Sequence, residues 1–290
     1  MKIRKVTAAY FSPAGSTGDV TEMIASAIGK VYSVPVEIDD FTLPVSRETK
    51  RRYGPDELLV FGTPTYAGRV PNKILPFLRD SFLGNQTPAI CCVTFGNRAF
   101  DSSLAELWTT VRNGGFLPFA GAACVSRHVF SDKIAPGRPD DRDRKILIDL
   151  AEKAAARLQE AGEAQELSAP DSLAGKLRVG PYYIPLGTDG NPAKFLAAKP
   201  KTEEERCTRC GRCARVCPMG IIPEDDPVRA EGTCIKCQAC VLACPEHAKY
   251  FDDPAFLSHV EMLERTYTRN AKTEVYIGTS DAGRKAGGAG

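Results

Sequence analysis

The chain has 290 residues, of which 43% are hydrophobic, and a formal net charge of +2. A nearly neutral chain gives no electrostatic reason to expect binding to nucleic acid or to an anionic membrane. No apolar run approaches the roughly 18 residues that a membrane span needs, and residues 1–11 lack the pattern of a signal peptide. Eleven cysteines without a secretory signal indicate metal ligation in a reducing compartment, which predicts a cytoplasmic protein.

Short apolar runs alternate with amphipathic segments over residues 1–163. Strands are predicted at Ile3–Phe11, Val34–Ile38, Glu57–Gly62, Ala89–Phe95 and Ala120–Val125. Helices are predicted between the first two strands and at Pro71–Leu83, Ser102–Val111 and Asp141–Gln159. This alternation predicts an α/β domain with a doubly wound, five-stranded parallel sheet that helices cover on both faces.

The composition changes after Gly162. Residues 164–205 are rich in proline and glycine without clear periodicity, so an irregular connector is predicted there. Residues 206–250 form a cysteine-rich module, which we expect to be a small α+β domain. Residues 251–290 are a C-terminal extension that opens with a predicted helix (Pro254–Tyr267) and ends in a Gly/Ala-rich tail that we expect to be frayed.

The cysteine-rich module contains one spacing twice, C-x2-C-x2-C-x3-C followed by proline. Three cysteines of such a run hold one 4Fe–4S cluster, and the fourth serves the other cluster. One predicted ligand set is therefore Cys207, Cys210, Cys213 and Cys244, and the other is Cys234, Cys237, Cys240 and Cys217. Zinc is the alternative, although it usually takes two pairs of ligands per ion. Cys91, Cys92 and Cys124 lie in apolar strands and are predicted to be core residues.

The cysteine-rich module resembles the bacterial two-cluster ferredoxins over about 45 residues. Earlier in the chain, residues 12–17 form a small, hydroxyl-rich turn between the first strand and its helix. Such a turn offers backbone N–H groups and the positive helix end to a phosphate, although an ordinary helix cap is the alternative. The turn resembles the phosphate loop of the flavodoxin family, which implies bound FMN.

Two further loops, residues 63–71 and 96–101, follow strands at the edge where doubly wound sheets bind ligands. They resemble the flavin loops of the same family, which implies that Tyr66 packs on the isoalloxazine ring and that backbone amides face its polar edge. His128 could also approach the flavin, although a lone histidine is more often structural. The predicted FMN contacts are Ser12, Ala14, Gly15, Ser16, Thr17, Pro64, Thr65, Tyr66, Ala67, Gly68, Phe95, Gly96, Asn97, Arg98, Phe100 and Asp101.

The order of the two modules resembles the EFR1-type family of fused flavodoxin and ferredoxin proteins of anaerobes. The resemblance implies an electron-transfer flavoprotein that passes electrons between FMN, two 4Fe–4S clusters and a redox partner. An enzyme that reduces a quinone, a nitro compound or an enone at FMN is the alternative, and a redox sensor or assembly scaffold is a third hypothesis. No catalytic acid, base or nucleophile stands out. The sequence leaves homo-oligomerisation open.

Four arginines interleave with the first cysteine run: Arg206, Arg209, Arg212 and Arg215. Nearby cations stabilise the charge that reduction adds, so the cluster of the first run is predicted to have the higher potential. The same arginines predict a docking face for an acidic redox protein. The alternative is that all four point into water, where their charges are screened.

Overall fold

The computed structural model describes residues 1–278, and the first part of the chain alternates strands and helices. Its first elements are β1 (Lys5–Tyr10), α1 (Ser16–Tyr32), β2 (Val36–Asp40), β3 (Arg51–Tyr53) and β4 (Glu57–Pro64). There follow α2 (Leu75–Ser81), β5 (Phe82–Gly84), β6 (Thr87–Phe95), α3 (Ser103–Asn113), β7 (Phe116–Val125) and α4 (Asp141–Glu160). Every strand and helix predicted for this part has a counterpart, while β3 and β5 form a separate parallel pair that was not predicted.

Most regular elements after α4 are short. They are α5 (Asp171–Ala174), β8 (Lys201–Thr202), α6 (Arg212–Arg215), α7 (Ala239–Leu242), β9 (Lys249–Tyr250), α8 (Pro254–Thr266) and β10 (Glu274–Ile277). The predicted helix of the extension is therefore present, and the Gly/Ala-rich tail lies outside the described residues. In the part of the chain that the structure describes, no helix is both long and apolar enough to cross a membrane.

The main sheet has the strand order β10-β7-β6-β4-β1-β2. Five strands of this sheet pair in parallel: β7, β6, β4, β1 and β2. The sixth strand, β10, pairs with β7 in antiparallel orientation. Counted along the chain, the parallel strands have the order 2-1-3-4-5, which is the flavodoxin-like form of the doubly wound sheet. The predicted fold class is confirmed, with one correction: the C-terminal extension supplies a sixth, antiparallel edge strand.

Helices cover both faces of the sheet, as a parallel sheet requires. On one face, α1 and α4 pack through Ile24 and Leu150 against Val60 of the sheet. On the other face, α3 packs through Trp108 against Phe61. Because both faces of the sheet are covered, β6 is buried along its whole length, and Cys91, Cys92 and Cys124 are fully enclosed core residues.

The cysteine-rich module repeats one local backbone shape. A residue with positive φ, Gly211 or Gln238, precedes each of the short helices α6 and α7. The module is closed by the β8–β9 pair, and α8 and β10 then lead the chain back to the parallel sheet. The boundaries 1–163, 164–205, 206–250 and 251–290 stay predictions.

Candidate cofactor sites

The turn between β1 and α1 has the backbone of a phosphate-binding loop. Gly15 precedes the helix at φ 89°, and a 17-residue helix directs its positive end at the turn. Thr17 is buried, and its Oγ1 lies 2.7 Å from Oγ1 of Thr94 at the end of β6. The Ser12 hydroxyl accepts a hydrogen bond from the Gly18 amide at 2.9 Å. The turn is therefore held from its own side and from the neighbouring strand.

A cavity of about 600 Å³ lies at the carboxyl ends of the parallel strands. This volume is within the range of roughly 300–1,000 Å³ that is usual for small-molecule and cofactor sites. Many of the predicted flavin contacts line it: Ala14, Ser16, Thr17, Pro64, Thr65, Tyr66, Ala67, Gly68, Phe95, Gly96 and Arg98. The three loops that the sequence singled out thus meet at one site, and their contacts with FMN stay predictions.

Five predicted contacts lie outside the cavity wall: Ser12, Gly15, Asn97, Phe100 and Asp101. The Ser12 hydroxyl is engaged in capping α1. The Phe100 ring packs on Phe95, with ring centroids 5.5 Å apart, and Asp101 pairs with Arg98. Asn97 is buried and binds the C-terminal extension. The contacts of these five residues with FMN stay predictions.

The tyrosine of the second loop stands between the two modules. Hydrogen bonds between the backbones of Tyr66 and Arg69, at 2.8 and 3.1 Å, close this loop. Burial raises the pKa of the Tyr66 hydroxyl well above its ordinary value, and the nearby thiols of Cys237 and Cys234 raise it further. Tyr66 therefore lines the cavity and also lies beside the second cysteine run.

The connector forms a wall of the cavity that the sequence did not predict. The Tyr183 amide donates to the Ala67 carbonyl at 2.9 Å, which attaches the connector to the second loop. Two cation–π contacts add to this attachment, because Arg69 lies 4.6 Å from the Tyr182 ring and Arg98 lies 3.8 Å from the Tyr183 ring. Phe195 and Leu196 continue the wall. The paired tyrosines are the signal that could have indicated it.

Two histidines complete the wall. His128 is held against Gly96, where a Cβ atom would come within 2.3 Å of the imidazole, so a side chain at that position would displace the ring. The His128 Nδ1 atom accepts a hydrogen bond from the Phe130 amide at 3.2 Å, which leaves the proton of the neutral ring on Nε2. Burial lowers the pKa of His128 to about 4, and His259 and Arg98 add to this shift. His259 comes from α8, and its ring contacts Phe195 and the Leu186 carbonyl.

The eight run cysteines divide between two smaller cavities. One is lined by Cys207, Cys210, Cys213 and Cys244, and the other by Cys217, Cys234, Cys237 and Cys240. The fourth cysteine of each run thus lies with the first three of the other run, as the predicted ligand sets require. Within residues 1–278, no three His, Cys, Asp or Glu side chains are grouped to hold a single metal ion. Cluster ligation itself stays a prediction.

The second cysteine cavity and the large cavity have a common wall. Cys234 and Ile235 line both of them, and Thr233 and Lys236 on either side also line the large cavity. The first cysteine cavity has a different environment, because Cys210 is exposed to solvent. The second ligand set therefore lies next to the predicted flavin site, and the first set faces outward.

The four arginines of the first run are exposed. This exposure favours the alternative that solvent screens their charges, and it gives no reason for the first cluster to have the higher reduction potential. Arg206 pairs with Glu203 at 3.3 Å, and Arg209 lies 3.6 Å from Glu204 and 3.5 Å from Asp226. Exposed, paired charges interact weakly with a neighbouring group. Sequence reasoning gave little weight to the cations that are buried near the cysteine cavities, which are Lys236 and Lys249.

Comparison with known proteins identifies the cysteine-rich module first. The family described as the 4Fe–4S dicluster domain matches residues 206–249. The module is therefore an iron–sulfur domain of the ferredoxin kind, while the number of clusters it holds stays a prediction. No curated protein has significant similarity to the chain.

The parallel-sheet part is similar in fold to flavodoxins. The Streptococcus pneumoniae flavodoxin is 16% identical, covers 53% of this chain and 99% of its own, and has a TM-score of 0.37. An archaeal flavodoxin is also 16% identical, covers 54% of this chain and 99% of its own, and has a TM-score of 0.40. Rubredoxin:oxygen oxidoreductase of the anaerobe Desulfovibrio gigas is 16% identical over 55% of this chain and 37% of its own, with a TM-score of 0.37.

Proposed function

We propose that this chain is an iron–sulfur flavoenzyme, in which two 4Fe–4S clusters deliver electrons to FMN and a small organic acceptor is reduced at the flavin. The observation that carries the proposal is the common wall of the two cavities at Cys234 and Ile235. A cluster on one side of this wall and a flavin on the other would be close neighbours. The iron–sulfur domain and the flavodoxin-like sheet support an electron-transfer role for the chain.

The large cavity fits FMN in its donors and its charge. The helix end and loop amides near Ser16 and Thr17 suit a phosphate. The cavity is also lined by cations, namely Lys73, Arg98 and Lys236 among others, and no Asp or Glu is among its described lining residues. Such a wall suits a cofactor that carries a phosphate and gains negative charge on reduction. The eight thiols suit iron–sulfur clusters by their chemistry and their division into two sets of four.

The lining of the cavity favours the enzyme over the simple carrier. A carrier docks its partner against an exposed flavin edge, whereas an enzyme encloses a small acceptor among converging polar groups. Here the connector tyrosines and the α8 residues His259 and Leu263 stand opposite the flavin loops. The flat, aromatic surfaces suit a quinone, a nitro compound or an enone.

Residues of this chain would bind and orient the acceptor, and its protons would come from solvent. FMN, when bound, supplies the electrons that reach the acceptor. His128 is a neutral imidazole at the cavity wall, and its Nε2–H would donate a hydrogen bond to an acceptor oxygen. Arg98 is fixed by Asp101 and by the Tyr183 ring, so its guanidinium can orient an acceptor oxygen without reorganisation.

The test is anaerobic stopped-flow of the full-length holoprotein, after iron, sulfide and FMN have been measured. We expect about eight irons and one FMN per chain, if both cofactor assignments hold. Chemically reduced protein should then reduce a quinone or an enone with saturation kinetics. Protein without FMN, or protein whose flavin is oxidised by redox proteins and not by small acceptors, would refute the enzyme assignment.

A pair of variants on α8 makes this test specific to the cavity. Leu263 lines the cavity, whereas Leu257 on the same helix is 48% exposed. We expect Leu263→Phe to raise the acceptor KM while transfer from the clusters to FMN keeps its rate. Leu257→Phe is the control and should leave both unchanged. Equal behaviour of the two variants would place acceptor reduction outside the cavity.

A further inference from the structure

A buried lysine stands where the second cysteine cavity meets the flavin cavity. Lys236 is 7% exposed and lines the flavin cavity. Its Nζ atom donates hydrogen bonds to the carbonyls of Leu196 and Cys234, the second at 3.0 Å. Both acceptors are neutral, and a buried ammonium is costly unless an opposite charge lies nearby.

The duplicated cysteine run provides an internal comparison. Arg209 has the position in the first run that Lys236 has in the second, immediately before the second cysteine, and both residues have positive φ, 53° and 56°. Although the backbone conformations are alike, the two side chains have different surroundings. The Arg209 side chain is 57% exposed and pairs with acidic residues, whereas Lys236 is enclosed between the two modules.

A second buried lysine lines the first cysteine cavity and lies away from the flavin cavity. Lys249 is 3% exposed, and its Nζ donates to the Thr202 hydroxyl at 2.6 Å and to the Val228 carbonyl at 3.5 Å. It lines the cavity of Cys207, Cys210, Cys213 and Cys244 and is not among the residues that line the flavin cavity. Each ligand set thus has one buried ammonium, but the ammonium of the second set is also part of the flavin site.

We infer that Lys236 is a shared electrostatic positioning residue, whose charge raises the reduction potentials of both the second cluster and the flavin. The inference rests on the proposed function, because it requires both cofactors. Asp253 is the acidic side chain whose charge acts on Lys236. Four thiolates make a cluster anionic, so the second cluster would add a larger opposite charge next to the ammonium. Each electron added on either side of the common wall increases the negative charge there. The ammonium stabilises both reduced states and holds the two potentials together.

The test is an anaerobic redox titration of holoprotein, with the clusters followed by EPR and the flavin by absorbance. In Lys236→Gln, we expect about a tenfold lower equilibrium constant for reduction of the second cluster, which is about 59 mV for one electron. The flavin potential should fall as well. Lys249→Gln should lower the potential of the first cluster and can also lower that of the second, because its charge acts on Cys240, but it should leave the flavin potential unchanged. Arg209→Gln should move no potential, and Lys236→Arg should restore the wild-type values.

The outcomes separate this inference from the proposed function. Wild-type protein without FMN or iron would refute the proposed function itself. Fully loaded Lys236→Gln with an unmoved flavin, or Lys249→Gln with an equal flavin shift, would overturn the inference alone. Lys236→Met keeps the unbranched stem and replaces the glutamine variant if that variant does not assemble. Loss of cofactors from both variants, but not from Lys249→Gln, would make Lys236 a structural residue and would also overturn the inference.

Discussion

Asn97 connects the loop of residues 96–101 to the C-terminal extension, and removal of its side chain should release that extension. Its Nδ2 atom donates to the carbonyls of Tyr267 and Arg269, both at 2.7 Å. Its Oδ1 atom accepts from the Ala271 amide at 2.9 Å. The side chain is 2% exposed, so water cannot readily replace these three bonds after substitution. Residues 267–271 connect α8 to β10. We expect Asn97→Ala to weaken the attachment of both α8 and β10 to the rest of the protein.

The expected loss follows from the bonds and the backbone. Three hydrogen bonds at about 1 kcal/mol each contribute about 3 kcal/mol. Asn97 also has φ 66°, a left-handed conformation that asparagine tolerates and that costs alanine about 1 kcal/mol more. Asn97→Ala should therefore destabilise the attachment by about 4 kcal/mol. Asn97→Gly should lose about 3 kcal/mol, because glycine takes this backbone without strain.

Hydrogen exchange followed by mass spectrometry measures the effect locally. Peptides that cover β10 should lose about 100-fold protection in Asn97→Gly, since 1.4 kcal/mol is a factor of ten. Asn85→Ala, at an exposed asparagine, is the control and should retain wild-type protection. A loss below threefold in both Asn97 variants would show that the extension is held by other contacts and would refute this reasoning.

Three further predictions concern the scaffold and the flavin. Burial alone would raise the pKa of Asp143, but hydrogen bonds, first from Arg138, lower it. Its stabilising effect is therefore fully present above about pH 4 and decreases as pH falls below that value. The difference in urea unfolding between wild type and Asp143→Asn should be largest above about pH 4 and should shrink at lower pH. Gly62→Ala would place a Cβ 2.0 Å from the Thr21 hydroxyl and should cost about 3 kcal/mol in urea unfolding. Tyr66→Ala should weaken FMN binding about tenfold by fluorescence titration, and Tyr66→Phe should retain it, because stacking requires the ring and not the hydroxyl.

The parallel sheet could be predicted because its signals are local. β6 is buried along its whole length, so its residues form one apolar run that the sequence shows directly. The predicted helix Pro71–Leu83 was less accurate, since the helix begins at Leu75 and the chain from Phe82 pairs with β3. This pairing depends on a distant segment, so hydrophobic periodicity alone could not indicate it.

The remaining features depend on contacts between distant parts of the chain. β10 is a four-residue strand that pairs with β7, and its short pattern resembles many loops. The wall formed by Tyr182 and Tyr183 follows from the docking of an irregular connector on the flavin loops. The positions of Arg209 and Lys236 within their runs are equivalent, so the sequence could not show that one is exposed and the other buried.

The two cysteine runs are equivalent in spacing but differ in their exposure to solvent in the folded chain. The two cysteine runs have the same spacing, yet Cys210 of the first is exposed and Cys237 of the second is buried against the parallel-sheet module. Under the proposed function, a redox partner can approach only the first cluster closely, because the second is enclosed and shares its wall with the flavin cavity. Electrons would then pass from the first cluster to the second and on to FMN. The buried lysine at the common wall would assist the last step, because it holds the second cluster and the flavin at similar potentials.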